Sequence, residues 1–195
     1  KKHTWNNYAA GTFQSEENIR NFSHGMFQSV YDYPYLSSSA NHIFDITVGY
    51  HSSSALQDSG NEQNNKKMNI YNQMAQVLVG YDTGSNVRMF DEDGNFAAGG
   101  DKMRDCVFFT FSRLLIKDEI KKGTFNLELG VSGTYDNTLK ANIFDNANEF
   151  KERISLKDTG AENDYRVNSP AGEYGILYAS NSAGNPLDLG GTEVS

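Results

Sequence analysis

The chain has 195 residues, of which 37% are hydrophobic and 12% aromatic, and this apolar content excludes a disordered protein because it offsets the entropy of ordering. A net charge of −8, without a cluster of lysines and arginines, excludes a surface built to neutralise the phosphates of nucleic acid. A single cysteine excludes an internal disulfide, and the longest apolar run, four residues from Cys106 to Phe109, is far short of the roughly 20 residues that span a bilayer.

The length suits one domain, and we expect residues 1–195 to form a single domain that belongs to a longer chain. The last six residues, 190–195, are small and polar and do not resemble the end of a fold. We expect residues 1–40 and 180–195 to be extended arms around this domain.

The first 62 residues are rich in turn-forming and amide residues and contain one clear strand, residues 43–48, which is rich in β-branched side chains. The segment 27–36 carries tyrosines at alternate positions around a proline, which cannot donate a hydrogen bond to a central ladder. This pattern predicts an extended segment at a sheet edge. Its aromatic side chains fit either the core or an interface with a partner: Tyr31, Tyr33 and Tyr35.

The clearest element is an amphipathic helix at about 64–79, where apolar residues recur at spacings of three and four. Asn64 or Asn65 suits the N-cap, and Gly80 suits the left-handed position after the C-terminus. The apolar positions are Met68, Ile70, Tyr71, Met74, Val77 and Leu78. Two of them form an adaptable surface that fits either the core or a partner: Met68 and Met74.

The rest of the chain alternates long turns with short strands. Strands are predicted at residues 107–111 and 125–131, and residues 112–122 between them form either one or two helical turns or a hairpin loop. Three more short strands are predicted at residues 140–144, 152–156 and 173–178. About six strands and one helix, with connections too short for crossovers, predict an α+β, β-rich fold of mainly antiparallel sheet with long loops.

The sequence contains no pattern typical of a metal site. His3, His24, His42 and His51 are scattered without the spacing of ligands. The acidic segment 91–95 resembles the start of a calcium loop, but Phe96 stands at the position that requires glycine and Lys102 at the position that requires glutamate. We therefore interpret it as an acidic turn and expect no metal and no cofactor.

Signatures of catalysis are missing as well. No G-x-S-x-G elbow occurs, and Ser23 and His24 are merely adjacent in sequence. Carboxylate pairs such as Asp118-Glu119 lie in polar segments, where burial does not tune their pKa values. Cys106 lies in an apolar run that predicts a buried, inert thiol. We expect that the protein is not an enzyme.

Four segments of the chain are distinctive in their amino-acid sequence and in their order. They are residues 69–76 leading into 80–82, residues 89–94, residues 112–125 and residues 164–175. Together they resemble a virion structural protein of large contractile-tailed marine bacteriophages, the myoviruses that include the cyanophages. The resemblance covers roughly residues 35–190.

This resemblance implies a repeated assembly component of the virion with no enzymatic role, in the tail, neck or baseplate rather than the capsid. Its partners would be other copies of itself and other phage structural proteins, joined by strand addition and by the loops at 1–40 and 158–195 into an oligomer, without nucleic acid, membrane or cofactor. Aromatic and methionine side chains are typical interface anchors. The candidate interface residues are Trp5, Tyr31, Tyr33, Tyr35, Met68 and Met74.

Three other hypotheses remain open from the sequence. A carbohydrate-binding or adhesin-like β-domain would use Trp5 and the tyrosines as platforms for sugar rings. A capsid-associated protein is a further alternative within the virion. A hydrolase embedded in the virion would need a catalytic constellation that the sequence does not display.

Overall fold

A computed structural model describes residues 18–22, 27–57, 63–96, 100, 102–111, 120–133 and 150–187 of the chain. Within these ranges the secondary structure consists of one helix and eleven strands. The helix is α1 (Asn64–Leu78). The strands are β1 (Ile19–Phe22), β2 (Phe27–Tyr31), β3 (His42–Tyr50), β4 (Phe90–Asp91), β5 (Lys102–Met103), β6 (Asp105–Thr110), β7 (Asn126–Gly133), β8 (Phe150–Lys157), β9 (Arg166–Ser169), β10 (Gly172–Tyr174) and β11 (Tyr178–Asn181).

The largest sheet has the strand order β1-β2-β3-β6, and all its neighbouring strands are antiparallel. Its centre is β3, whose β-branched and aromatic residues confirm the strand predicted at 43–48 and extend it at both ends. The ladder between β3 and β6 is continuous over six residue pairs, from Asp45 opposite Thr110 to Tyr50 opposite Asp105. The predicted strand at 107–111 corresponds to β6 and ends one residue earlier.

The segment 27–36 differs from its prediction. Its strand β2 ends at Tyr31 and lies between β1 and β3, so it is an internal strand and not an edge. The chain then turns, and the N–H of Ser37 donates to the carbonyl of Pro34 at 2.8 Å. The prediction is wrong because residues 19–22 fold back onto β2 and occupy the edge themselves. This part of the predicted arm 1–40 therefore belongs to the sheet.

The predicted amphipathic helix is confirmed as α1, which packs against β3. Its buried side includes Tyr71 and Ala75, and Gly80 follows it with φ +75°, the left-handed conformation that the sequence predicts there. Close packing depends on Gly49 of β3, where an added Cβ would lie 2.8 Å from the backbone nitrogen of Tyr71.

Two details of the helix differ from prediction. The N-cap residue is Gln63, which makes no side-chain capping bond, whereas Asn64 is buried and accepts a hydrogen bond from the hydroxyl of Tyr50. Val77 and Leu78, which belong to the predicted apolar face, are exposed. The buried positions after Tyr71 are Ala75 and then Val79 just past the helix, at successive spacings of four.

The hydrophobic core lies between α1 and the sheet. Its centre is Tyr71, which is fully buried, and the ring of Phe90 packs edge-on against it at 5.3 Å. The hydroxyl of Tyr71 donates to the carbonyl of Met103 at 2.7 Å and accepts from the N–H of Phe90 at 3.1 Å. Burial raises the pKa of Tyr71 to about 12. The other members of this core are Ala75, Val79, Val87, Phe90, Phe96, Cys106 and Phe108.

The remaining strands form three smaller antiparallel sheets: β11-β8-β7, β9 with β10, and β4 with β5. The predicted strands at 125–131 and 152–156 are β7 and β8, whereas the one at 173–178 is split into β10 and β11. The predictions for 140–144 and 112–119 lie outside the described residues. The fold is α+β and β-rich with antiparallel sheets, as the sequence predicts, although the described residues form more strands than the six expected.

Candidate interaction surface

The turn after β2 carries three of the sequence-predicted interface residues. The rings of Tyr31 and Tyr35 are half-buried and lie 6.0 Å apart, and the ring of His42 packs edge-on against Tyr31 at 5.5 Å. Tyr33 is exposed, and Leu36 in the same turn is 85% exposed. This aromatic turn, Tyr31 to Leu36, thus combines two rings that support one another with two exposed residues.

The predicted methionines do not form one surface. Met68 and Met74 are both half-buried on α1. Six positions on a helix with about 100° per residue place them roughly 120° apart around its axis, so they lie on different faces. Trp5 lies outside the described residues.

A surface that the sequence did not predict lies at the edge of the main sheet. Among the described residues, the strand β6 is hydrogen-bonded only to β3, so its other side is an open edge. Val107 of β6 is 55% exposed, and Val48, directly opposite it on β3, is 37% exposed. We call these residues the valine pair. The sequence marks both strands as apolar, but it does not show that this pair lies uncovered.

A second unpredicted surface lies where α1 ends. Ser169 donates a hydrogen bond from its hydroxyl to the carbonyl of Leu78, which holds β9 against the end of α1. Val167 lies two residues before Ser169, on the same side of β9, and is 69% exposed. The exposed apolar residues of this helix-end patch are Val77, Leu78, Tyr81 and Val167.

A serine, an aspartate and a histidine meet on the main sheet. Ser29 donates from its hydroxyl to Oδ1 of Asp45 at 2.6 Å, and Nε2 of His42 lies 2.7 Å from the same oxygen. Nucleophilic catalysis needs the imidazole next to the hydroxyl. Here the carboxylate lies between the two groups, and Ser29 is buried. The arrangement links β2 to β3 and lacks the contact that would activate a nucleophile.

A pair of carboxyl groups lies in the acidic turn that the sequence compares with a calcium loop. The side chain of Asp91 is 2% exposed and forms an ion pair with Lys102. Burial, together with a hydrogen bond to Asp93, raises the pKa of Asp91, and Lys102 opposes this shift. The same hydrogen bond and the N–H of Asn95 lower the pKa of Asp93. One carboxyl group therefore holds a proton more tightly than the other.

This acidic turn contacts the hairpin of β9 and β10 through backbone groups. The carbonyl of Gly94 accepts from the amide of Asn168 at 2.7 Å and from the hydroxyl of Tyr174 at 3.2 Å, and Arg166 donates to the carbonyl of Asp93 at 3.1 Å. Through these contacts and the ion pair of Asp91, the acidic turn connects parts of the chain that are distant in sequence. Such a role needs no bound ion.

Cys106 is half-buried in the core, and burial raises the pKa of its thiol to about 12. A thiol with such a pKa is protonated at neutral pH and is a poor nucleophile. Across the residues that the structure covers, no group of three or more acidic, histidine or cysteine side chains is arranged to hold a metal ion. In the same residues, α1 has neither the length nor the hydropathy of a helix that crosses a membrane.

Comparisons of the chain with models of protein families, with curated proteins and with solved structures found no match.

Proposed function

We propose that the protein is a structural component of a bacteriophage virion, located in the tail, neck or baseplate, where it contacts other copies of itself and other structural proteins. The observation that carries this proposal is the open edge of β6 with the exposed valine pair, Val48 and Val107. Unprotected edges and exposed apolar side chains are features that an assembly protein buries against its neighbours. The resemblance of four segments to such proteins supports the same class.

The proposal includes the absence of an enzymatic role. The two clusters with the residue types of active sites are engaged in other contacts: Asp45 separates Ser29 from His42, and Lys102 is paired with Asp91. Each cluster links separate elements of the fold, and this structural role explains the presence of its polar residues. Assembly requires no such chemistry.

The experiment that tests the proposed function is mass spectrometry of purified phage particles separated into heads and tails. Peptides from residues 66–88 and 113–129 serve as markers. We expect abundant recovery in the tail fraction. Recovery with heads alone would indicate a capsid protein instead, and absence from particles would contradict a structural role.

A carbohydrate-binding function is the second candidate, because the exposed ring of Tyr33 offers a platform of the kind that stacks on sugars. Binding on a glycan array that is lost in Tyr33→Ala or Trp5→Ala, but kept in Tyr81→Ala, would favour it. Tyr81 is a suitable control because it is also exposed and lies outside the aromatic turn.

A further inference from the structure

We infer that the open edge of β6 pairs with the same edge of a second copy, antiparallel and centred on Val107, so that two four-stranded sheets become one of eight strands. This inference rests on the proposed function, since it names one partner of the assembly protein and the surface that it uses. Three features support it. Backbone N–H and C=O groups of β6 point towards the open edge, a two-fold symmetric pairing can be centred on Val107, and the valine pair is exposed.

The edge lacks the features by which proteins prevent sheet-to-sheet pairing. Residues 105–110 include neither lysine nor proline, and the ladder to β3 contains no bulge. The one charged side chain, Asp105, accepts a hydrogen bond from the hydroxyl of Ser54. The opposite edge of the same sheet, β1, is shorter and carries Arg20.

The outward-facing backbone groups of β6 follow from one hydrogen bond. The N–H of His51 donates to the carbonyl of Arg104 at 2.7 Å, so the backbone groups of residue 104 point towards β3. In an antiparallel ladder these directions alternate along the strand. The N–H and C=O groups of Asp105, Val107 and Phe109 therefore point away from β3, towards the open edge.

Symmetry selects the register of the pair. Side chains opposite one another in a sheet share a face, and successive residues alternate between faces, so a symmetric antiparallel pair is centred on a residue and not between two. Val107 is the middle one of the three outward residues. Centring the pair on it engages all of their groups and forms about six backbone hydrogen bonds, two for each facing pair.

The side chains agree with this register. Asp105 lies opposite Phe109 of the partner subunit, so the acidic side chains do not face each other. Val107 lies opposite its own copy, and Val48 flanks it on β3. The two valine pairs then form one apolar row across the joined sheet, in which each Val107 covers part of the exposed side chain of the other. A second copy therefore satisfies both the backbone and the side chains of this edge.

The test is the oligomeric state of the full 195-residue chain by light scattering and sedimentation over a range of concentrations. We expect a concentration-dependent dimer, and we expect Val107→Lys to weaken dimerisation at least about tenfold. Val167→Lys is the matched control, since it replaces another exposed strand valine away from the edge of β6, and it should leave the dimer intact. Circular dichroism establishes that both variants are folded.

A cross-link tests the register and does not depend on the lysine variant. In a Cys106→Ser background, Val107→Cys places two thiols opposite each other with Cα atoms about 5.5 Å apart, within the range that a disulfide spans. Mild oxidation should give a covalent dimer, whereas Val167→Cys in the same background should not. A dimer without this cross-link would overturn the register.

A wild-type chain that stays monomeric, or one that Val107→Lys and Val167→Lys affect equally, would overturn the inference. The edge would then be occupied by another protein or by other residues of this chain. Such a result leaves the proposed function standing if the protein is recovered from tails. Conversely, a dimer with the expected cross-link that is absent from particles would contradict the function and keep the interface.

Discussion

Tyr71 shows how one side chain can hold several elements together. Its ring is buried between α1 and the sheet, and its hydroxyl joins the carbonyl of Met103 to the N–H of Phe90. Tyr71→Phe keeps the ring but removes the side-chain hydrogen-bond partner of two partly buried backbone groups. We expect the free energy of unfolding in urea to fall by about 1–3 kcal/mol. Tyr81→Phe, which changes an exposed tyrosine, should stay within about 0.5 kcal/mol of wild type.

His51 predicts a pH dependence of stability. Nδ1 of His51 lies 2.8 Å from the hydroxyl of Ser53 and accepts from the N–H of Ser53 at 3.2 Å, an arrangement that favours the neutral ring. Burial and, to a lesser degree, the charge of Arg104 lower the pKa of His51 below its usual 6.5. The unfolded chain therefore binds the proton more readily. The contribution of the neutral His51 to the free energy of unfolding is fully present above the pKa of this histidine in the unfolded chain. It is lost as the pH falls through that value towards the lower pKa of His51 in the folded protein.

The corresponding measurement is urea unfolding at a series of pH values. His51→Asn keeps an acceptor for the N–H of Ser53 but does not titrate, so we expect a shallower decline in stability than in wild type between about pH 7 and pH 5. Identical slopes in the two proteins would show that other groups cause the pH dependence. The comparison uses differences in slope, because carboxyl groups such as that of Asp91 also contribute in acid.

At the scale of elements, the contact between α1 and β3 depends on the missing side chain of Gly49. A Cβ there would lie 2.8 Å from the nitrogen of Tyr71 and 3.1 Å from the ring of Phe108. Since the first of these is backbone, the helix itself would have to shift. We expect Gly49→Ala to lower the free energy of unfolding by about 1–3 kcal/mol. Gly160→Ala is the control, because its Cβ would make an ordinary contact of 3.6 Å with Tyr178, and it should unfold at nearly the same urea concentration as wild type.

The start of β7 depends on a residue from another strand. Asp158, buried at the end of β8, accepts hydrogen bonds from the N–H groups of Gly123 and Phe125, both at 2.9 Å. Asp158→Ala leaves these donors unpaired, and we expect a loss of roughly 1.5–3 kcal/mol in thermal or urea unfolding. Asp164→Ala removes an exposed carboxylate paired with Arg166 and should change stability little. Equal effects of the two variants would contradict this role of Asp158.

On the scale of the whole molecule, three of the places where the described residues expose apolar side chains are the aromatic turn, the open edge of β6 and the helix-end patch. Of these, the open edge alone combines exposed side chains with a row of outward backbone groups, which is why the inferred dimer is placed there. The other two surfaces remain available for different partners. A component of a larger assembly needs more than one such surface.

The sequence predicted the elements in which local pattern and final packing agree. Spacings of three and four placed α1, and β-branched residues placed β3, because burial on one side imposes these periods on a chain. The same reasoning did not identify the buried side fully, because Val77 and Leu78 of the apolar pattern are exposed whereas Ala75 and Val79 are buried. It also failed for β2, because the identity of an edge strand depends on which segment folds back to pair with it.

The sequence by itself determined the class of the fold, the position of its helix and the absence of known catalytic motifs. Only the tertiary structure decided that Ser29, Asp45 and His42 meet, that the acidic turn contacts β9 and β10, and that the valine pair lies uncovered. The physical reason is the separation along the sequence over which each effect acts. Periodicity and turn chemistry act between residues a few positions apart, whereas contacts between Gly94 and Asn168, 74 residues apart, depend on how the whole chain packs.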